Sequence, residues 1–118
     1  MQSKYDECQV HSVADVFVGK WKCTILLILL FEGTKRFSEL QKDIPDITKK
    51  MLTSQLRELE EEDIVKRVVH PVVPPKVEYS LSEYGETMAP LLHMMSEWGT
   101  KHRTRMHKKR QSMTKTQE

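Results

Sequence analysis

The stretch from Arg36 to Val65, RFSELQKDIPDITKKMLTSQLRELEEEDIV, constrains the fold of this chain more than any other. It reads as two short helices joined by a tight polar turn. Ser38 stands three residues ahead of Gln41, a capping-box spacing that predicts the first helix start. Leu40 and Ile44 give that helix a small apolar edge, and Pro45-Asp46 ends it. Thr48 is a natural cap for a second, longer helix. There Leu52, Leu56 and Leu59 recur at spacings of four and three, which predicts one buried stripe. At about 100° per residue, Lys50, Ser54 and Arg57 then project from the opposite face, with Lys49 and Thr53 on its flank. A cationic, hydrogen-bonding helix face held by a short partner helix suits a DNA major groove. An ordinary solvated helix face has the same pattern, and only the neighbouring segments separate the two readings.

Those segments supply a core and a hairpin. Cys23 to Phe31 is a continuous apolar run, too short for the roughly 18 residues of a membrane span. It reads as a central buried helix, hydrophobic on every side and stopped near Gly33, with Trp21 at its entrance. Thr34 to Phe37 is a short extended link. Past the paired helices the period changes. Val65 to His70 and Lys76 to Leu81 are rich in β-branched and aromatic residues, and Val77, Tyr79 and Leu81 alternate onto one face. Pro71, Pro74 and Pro75 lie between them and cannot occupy a central strand. A β-hairpin with a proline-set tip follows directly on a two-helix turn unit, which is the order of a winged helix-turn-helix. The expected class is α+β, mainly α, with a two-stranded wing and terminal helices that pair two copies.

The ends are read as follows. Residues 1–10 are polar and predict a flexible arm; 11–100 form one DNA-binding and dimerisation domain; 101–118 are a basic tail. Val13, Val16 and Phe17 share one helical edge before Gly19. Ser82 is placed to cap the last long helix, and Gly85 and Pro90 near its start predict a bend or a division into two parts. Leu91 and Leu92 are assigned to the core. Met94, Met95 and Trp98 exceed what a small core needs and are candidates for a subunit contact with Val13 and Phe17. Beyond Gly99, seven cations stand against Glu118 alone, a composition expected to be solvated and frayed. Net charge is only +2, so a nucleic-acid surface has to come from segregating charge.

Catalysis and metal binding find little support. The five histidines lack ligand spacing, the four glycines are scattered, and Cys8 and Cys23 form no CxxC pair. Glu60, Glu61, Glu62 and Asp63 are consecutive, so on a helix they diverge and read as a solvated end. No cofactor is implied. The polar start, Met1-Gln2-Ser3-Lys4-Tyr5-Asp6, is no secretory signal, and a reducing, cytoplasmic setting follows with no membrane contact.

Several motifs together resemble the HxlR family: Gly19-Lys20-Trp21, Arg36-Phe37-Ser38-Glu39-Leu40, Ile47-Thr48-Lys49-Lys50-Met51-Leu52, Leu56-Arg57-Glu58-Leu59-Glu60 and Pro74-Pro75-Lys76-Val77-Glu78-Tyr79-Ser80-Leu81. The resemblance runs from about Cys8 to Trp98. It implies a bacterial or archaeal transcription regulator related to the MarR group, a non-enzymatic winged-helix homodimer paired through its terminal helices. Many members carry a cysteine near the position of Cys8, and some sense quinones, aldehydes or oxidants through it. Two residues depart from the pattern: Gln9 follows Cys8 where the family often has proline, and Asp63 stands where it commonly has glycine.

The expected partner is therefore double-stranded DNA with a pseudo-palindromic operator. The candidate contacts are Arg36, Ser38, Thr48, Lys49, Lys50, Thr53, Ser54 and Arg57, with His70 and Lys76 on the hairpin. Cys8 is the candidate sensor. A winged-helix module that binds another protein through its Met/Trp surface is the alternative, and DNA binding as a function of salt separates the two.

Overall fold

The computed structural model describes residues 21–116, as two compact units that divide at Thr87 and Met88. Cys8, Val13 and Phe17 lie outside the described residues. In the first unit the order is α1 (Trp21–Glu32), β1 (Lys35–Arg36), α2 (Phe37–Asp43), α3 (Lys49–Glu61), β2 (Val65–His70), β3 (Lys76–Leu81) and α4 (Glu83–Glu86). The second unit is α5 (Ala89–Thr116).

The core of the first unit collects Ile25, Leu26 and Leu29 of α1, Leu40 of α2, Leu52, Leu56 and Leu59 of α3, and Tyr79 of β3. Ile44, Ile47, Ile64 and Val65, at or near the ends of these elements, complete it. The predicted stripe on α3 is thus the buried one. On α1 the expectation of burial on every side is corrected: Leu27, Ile28 and Leu30 are half-buried and Phe31 is 53% exposed. A single face of the helix carries the packing, as its three-and-four spacing of 25, 26 and 29 allows. Gly33 ends α1 with φ +85°, its N–H donating to the Leu29 carbonyl at 3.1 Å. This left-handed position is one that glycine adopts without a Cβ penalty.

The hairpin has the expected bounds, and its antiparallel register runs from Val65 opposite Leu81 to His70 opposite Lys76. The link ahead of α2 adds a third strand: Lys35 pairs with Tyr79 and Arg36 with Glu78, giving the order β1-β3-β2. Lys35 is anchored there by Asp43 at 3.0 Å and Glu32 at 3.2 Å. It thereby ties β1 to the ends of both flanking helices.

Two helix starts differ from expectation. Strand pairing keeps the backbone extended as far as Arg36, so α2 begins at Phe37 and Ser38 is already inside its first turn. The cap is instead the Arg36 N–H, which donates to Glu39 Oε1 at 2.9 Å. Ser82 caps the four-residue α4, its Oγ accepting from the Gly85 N–H at 2.9 Å, and the long helix starts afresh at Ala89. The division of the last helix into two parts is therefore present.

On α5, Leu92 is buried, Met95 is half-buried, and Met94 and Trp98 are 67% and 66% exposed. Leu91, assigned to the core from sequence, is exposed instead. The expected frayed tail is also corrected, because α5 continues unbroken to Thr116. Beyond Gly99 the segment holds no further glycine or proline and is rich in Lys, Arg, Gln and Met, all good helix formers. Its cations also lie toward the C-terminal end of the helix dipole, where positive charge is favourable.

Candidate nucleic-acid interface

The interface is built outward from the start of α3. The Thr48 Oγ1 accepts from the Met51 N–H at 3.1 Å, and its carbonyl accepts from the Leu52 N–H at 2.9 Å. This cap fixes the first turn, on which Lys49 and Lys50 are both exposed. Two cations and no acid at a helix N-terminus oppose the helix dipole. A local rule broken in this way is expected where function has first claim on the residues. The result is a helix end that is doubly attractive to phosphate, through side-chain charge and through free backbone N–H groups.

Along α3, Lys49, Lys50, Thr53, Ser54 and Arg57 line one shallow concavity of about 630 Å³. Glu58 and Glu61 close its far end. Lys22 reaches Glu58 Oε2 at 2.7 Å, so one of these two carboxylates is compensated from α1. A second groove, of about 570 Å³, adjoins through Lys49. Arg36 and Ser38 of the α2 entry, Lys76 of β3, and Pro74 and Pro75 of the wing tip line it. Because Arg36 and Glu39 make the cap, the Ser38 hydroxyl is not spent on one and lies exposed.

Eight of the ten sequence-derived candidates thus fall on two adjoining concavities. The other two do not. Thr48 is exposed but engaged as the α3 cap. His70 turns to Glu78, with Nε2 and Oε1 2.5 Å apart, and Lys76 Nζ is 3.5 Å from the same carboxylate oxygen. Glu78 also stands opposite Arg36 in the register, on the same face of the sheet. Glu78 therefore offsets the positive charge that Lys76 brings to the wing. One charged side chain was overlooked: Arg67 lines a third concavity together with Arg57. Its signal in the sequence is its place between Val65 and Val69, on one face of the strand.

Two titrating groups are shifted by their surroundings. Lys35 is raised above the ordinary lysine value, first by its hydrogen bond to Asp43 and then by that to Glu32. Burial pushes the Cys23 thiol up. Among the described residues no helix is long and apolar enough to cross a membrane.

Comparison with known proteins extends these observations. The family model for HxlR-like helix-turn-helix proteins matches residues 16–107. The uncharacterized HTH-type transcriptional regulator YdeP of Bacillus subtilis is 48% identical over 104 residues, covering 88% of this chain and 80% of its own. The redox regulator HypR, in its reduced form, aligns with a TM-score of 0.78 at 47% identity, over 83% of this chain and 96% of that one. A MarR-family regulator from Porphyromonas gingivalis aligns with a TM-score of 0.73 at 32% identity, over 85% and 97% of the two chains. The winged helix-turn-helix with its small antiparallel wing and long C-terminal helix is the architecture these relatives share. The chain belongs to the HxlR-like helix-turn-helix family of transcriptional regulators and is not an enzyme.

Proposed function

We propose that the protein binds a pseudo-palindromic DNA operator as a homodimer, with α3 in the major groove and the wing on the flanking backbone or minor groove. One observation carries this reading: residues from α2, α3 and β3 converge on two adjoining cationic concavities that meet at Lys49. Lys49, Lys50 and Arg57 supply phosphate or base contacts, and Thr53 and Ser54 supply hydrogen bonds to base edges. Arg36, Ser38 and Lys76 hold the backbone at the wing side. A mobility-shift series against genomic fragments, repeated at several salt concentrations, tests it. Specific fragments are retained over bulk DNA, and affinity falls steeply with salt. Binding that ignores sequence, or none at all, leaves the protein-interaction reading in its place. Acting on the chromosome, the protein works in the cytoplasm.

The dimer is supported by the exposed Leu91, Met94 and Trp98 on α5. Spacings of three and four put them on one side of the helix. Two-fold pairing presents two copies of α3 about 34 Å apart, one turn of DNA. Sedimentation at micromolar concentration reads this directly, and a monomer alone counts against it. Sensing through Cys8 is favoured by the likeness to HypR, itself a redox regulator.

A further inference from the structure

Arg67 sits on the wrong face of its strand for a cation. It stands opposite the buried Tyr79 in the register, and antiparallel partners share a face. Its neighbours on that face are the buried Val65 and the exposed Val69, whereas Lys66 and Val68 turn the other way. The side chain escapes burial through a concavity of about 330 Å³ between α3 and β2. The walls are Thr53, Leu56, Arg57, Glu60, Arg67 and Tyr79. Among the described residues Arg57, Arg67 and Glu60 make no ion pair, and the Tyr79 hydroxyl makes no hydrogen bond.

We propose that Arg57 and Arg67 form an oxyanion clamp between α3 and β2, sized for one phosphate-like or carboxylate-like group. Two unpaired guanidinium groups in one concavity repel each other, and an oxyanion between them turns repulsion into attraction. Each fork has the geometry for a bidentate bond to two oxygens of such a group. Thr53 and Tyr79, both bearing hydroxyl groups, line the same concavity. Glu60 lowers the net charge of the walls to a single positive unit, which suits one compact anion over an extended polyanion. The volume lies at the low end for ligand sites, again matching a small group. Thr53 and Arg57 belong also to the α3 concavity, so the clamp opens onto the DNA-facing surface. A phosphate of bound DNA and a free oxyanion therefore compete for the same two arginines. The DNA half of this statement rests on the proposed function; the free-anion half does not.

The test uses the full-length protein with Arg67→Ala, Arg67→Gln and, as the control on the other face of β2, Lys66→Ala. In the first arm, inorganic phosphate and pyrophosphate are titrated against chloride at equal ionic strength. The guanidinium Nε–Hε resonances of Arg57 and Arg67 are followed by NMR. Saturable shifts of both, retained for Arg57 in Lys66→Ala and lost in both Arg67 variants, are expected. In the second arm, duplex affinity is measured against salt. If a DNA phosphate fills the clamp, the Arg67 variants lower the slope of log affinity on log salt by about one unit, and Lys66→Ala does not. Saturation in the first arm alone identifies a free-anion site, and a slope change alone identifies a DNA contact. If the wild type binds no DNA, the first arm still decides. Arg67 variants indistinguishable from Lys66→Ala in both arms overturn the clamp and leave Arg67 as a charged guard on the edge strand.

Discussion

Lys49 and Lys76 open onto one groove, the first from the leading turn of α3 and the second from the first position of the outgoing wing strand. The strands bring them together: β1 pins the α2 entry to β3, and the hairpin register sets where Lys76 emerges. Helix face and wing therefore line one continuous groove.

From that surface follows a difference between substitutions. Lys50→Ala or Arg57→Ala removes a contact expected to reach bases as well as phosphates. Loss of a base contact weakens operator binding by about 1–3 kcal/mol and relaxes preference at one base pair. Lys76→Ala is expected to remove a backbone contact only and to weaken all sequences alike. Competition mobility shifts with operator and scrambled duplexes separate the two patterns. If Lys50→Ala and Arg57→Ala leave both affinity and salt slope unchanged, α3 has been misplaced.

How much of this was legible beforehand depended on the range of the forces involved. The α3 stripe and the hairpin bounds were legible because Leu52, Leu56 and Leu59, and Val77, Tyr79 and Leu81, follow their periods closely. Thr48 was legible as a cap because capping is local. The Arg36–Glu39 cap was not, because a two-residue strand has no period and forms only by pairing with β3. His70 was read as a DNA contact, since nothing local reveals its approach to Glu78 across the hairpin. The extent of α5 was hidden by its charge, which suggested solvation although the residues themselves are good helix formers. Asp63, a departure from the family's usual glycine, sits at φ 63°, a left-handed position that asparagine and aspartate tolerate better than most residues.

The glycines give a second, purely structural expectation. A Cβ on the buried Gly85 would overlap the backbone carbonyl of Ile64, which accepts from the Ser82 N–H at 3.0 Å. Backbone on both sides of the overlap leaves little to move, so Gly85→Ala should destabilise the fold by about 1–3 kcal/mol. Gly99 has open space around it and lies within α5, so Gly99→Ala should stabilise the helix by about 0.5–1 kcal/mol. Urea unfolding of both variants at one protein concentration reads the opposite signs.

Lys35 leads to a pH dependence. Asp43 and Glu32 raise its titration in the folded state above the ordinary lysine value of 10.5. The folded state thus holds this proton more tightly than the unfolded chain. Its contribution is fully present below the ordinary lysine range and is lost as pH climbs through the raised value. Lys35→Met should therefore melt below the wild type at neutral pH, with the gap closing in strongly alkaline buffer. A gap that is constant across this range would trace the loss to packing of the β1 segment, not to the two ion pairs.

The two cysteines should behave differently toward thiol reagents. Burial raises the titration of Cys23, so at neutral pH less of it is thiolate, and the thiolate is the reactive form. In the Cys8→Ser protein, alkylation of the remaining Cys23 should be slower than that of a free cysteine and should speed up on unfolding. In the wild type the fast-reacting equivalent should be Cys8, which lies in a polar stretch with Asp6 and Glu7 beside it and Lys4 nearby. A sensor role demands more than reactivity: modification has to alter DNA binding. Operator affinity of wild type and Cys8→Ser, before and after diamide or a quinone, provides the measurement. Loss confined to the wild type is the expected outcome, whereas equal loss in both proteins, or none in either, removes Cys8 from the mechanism.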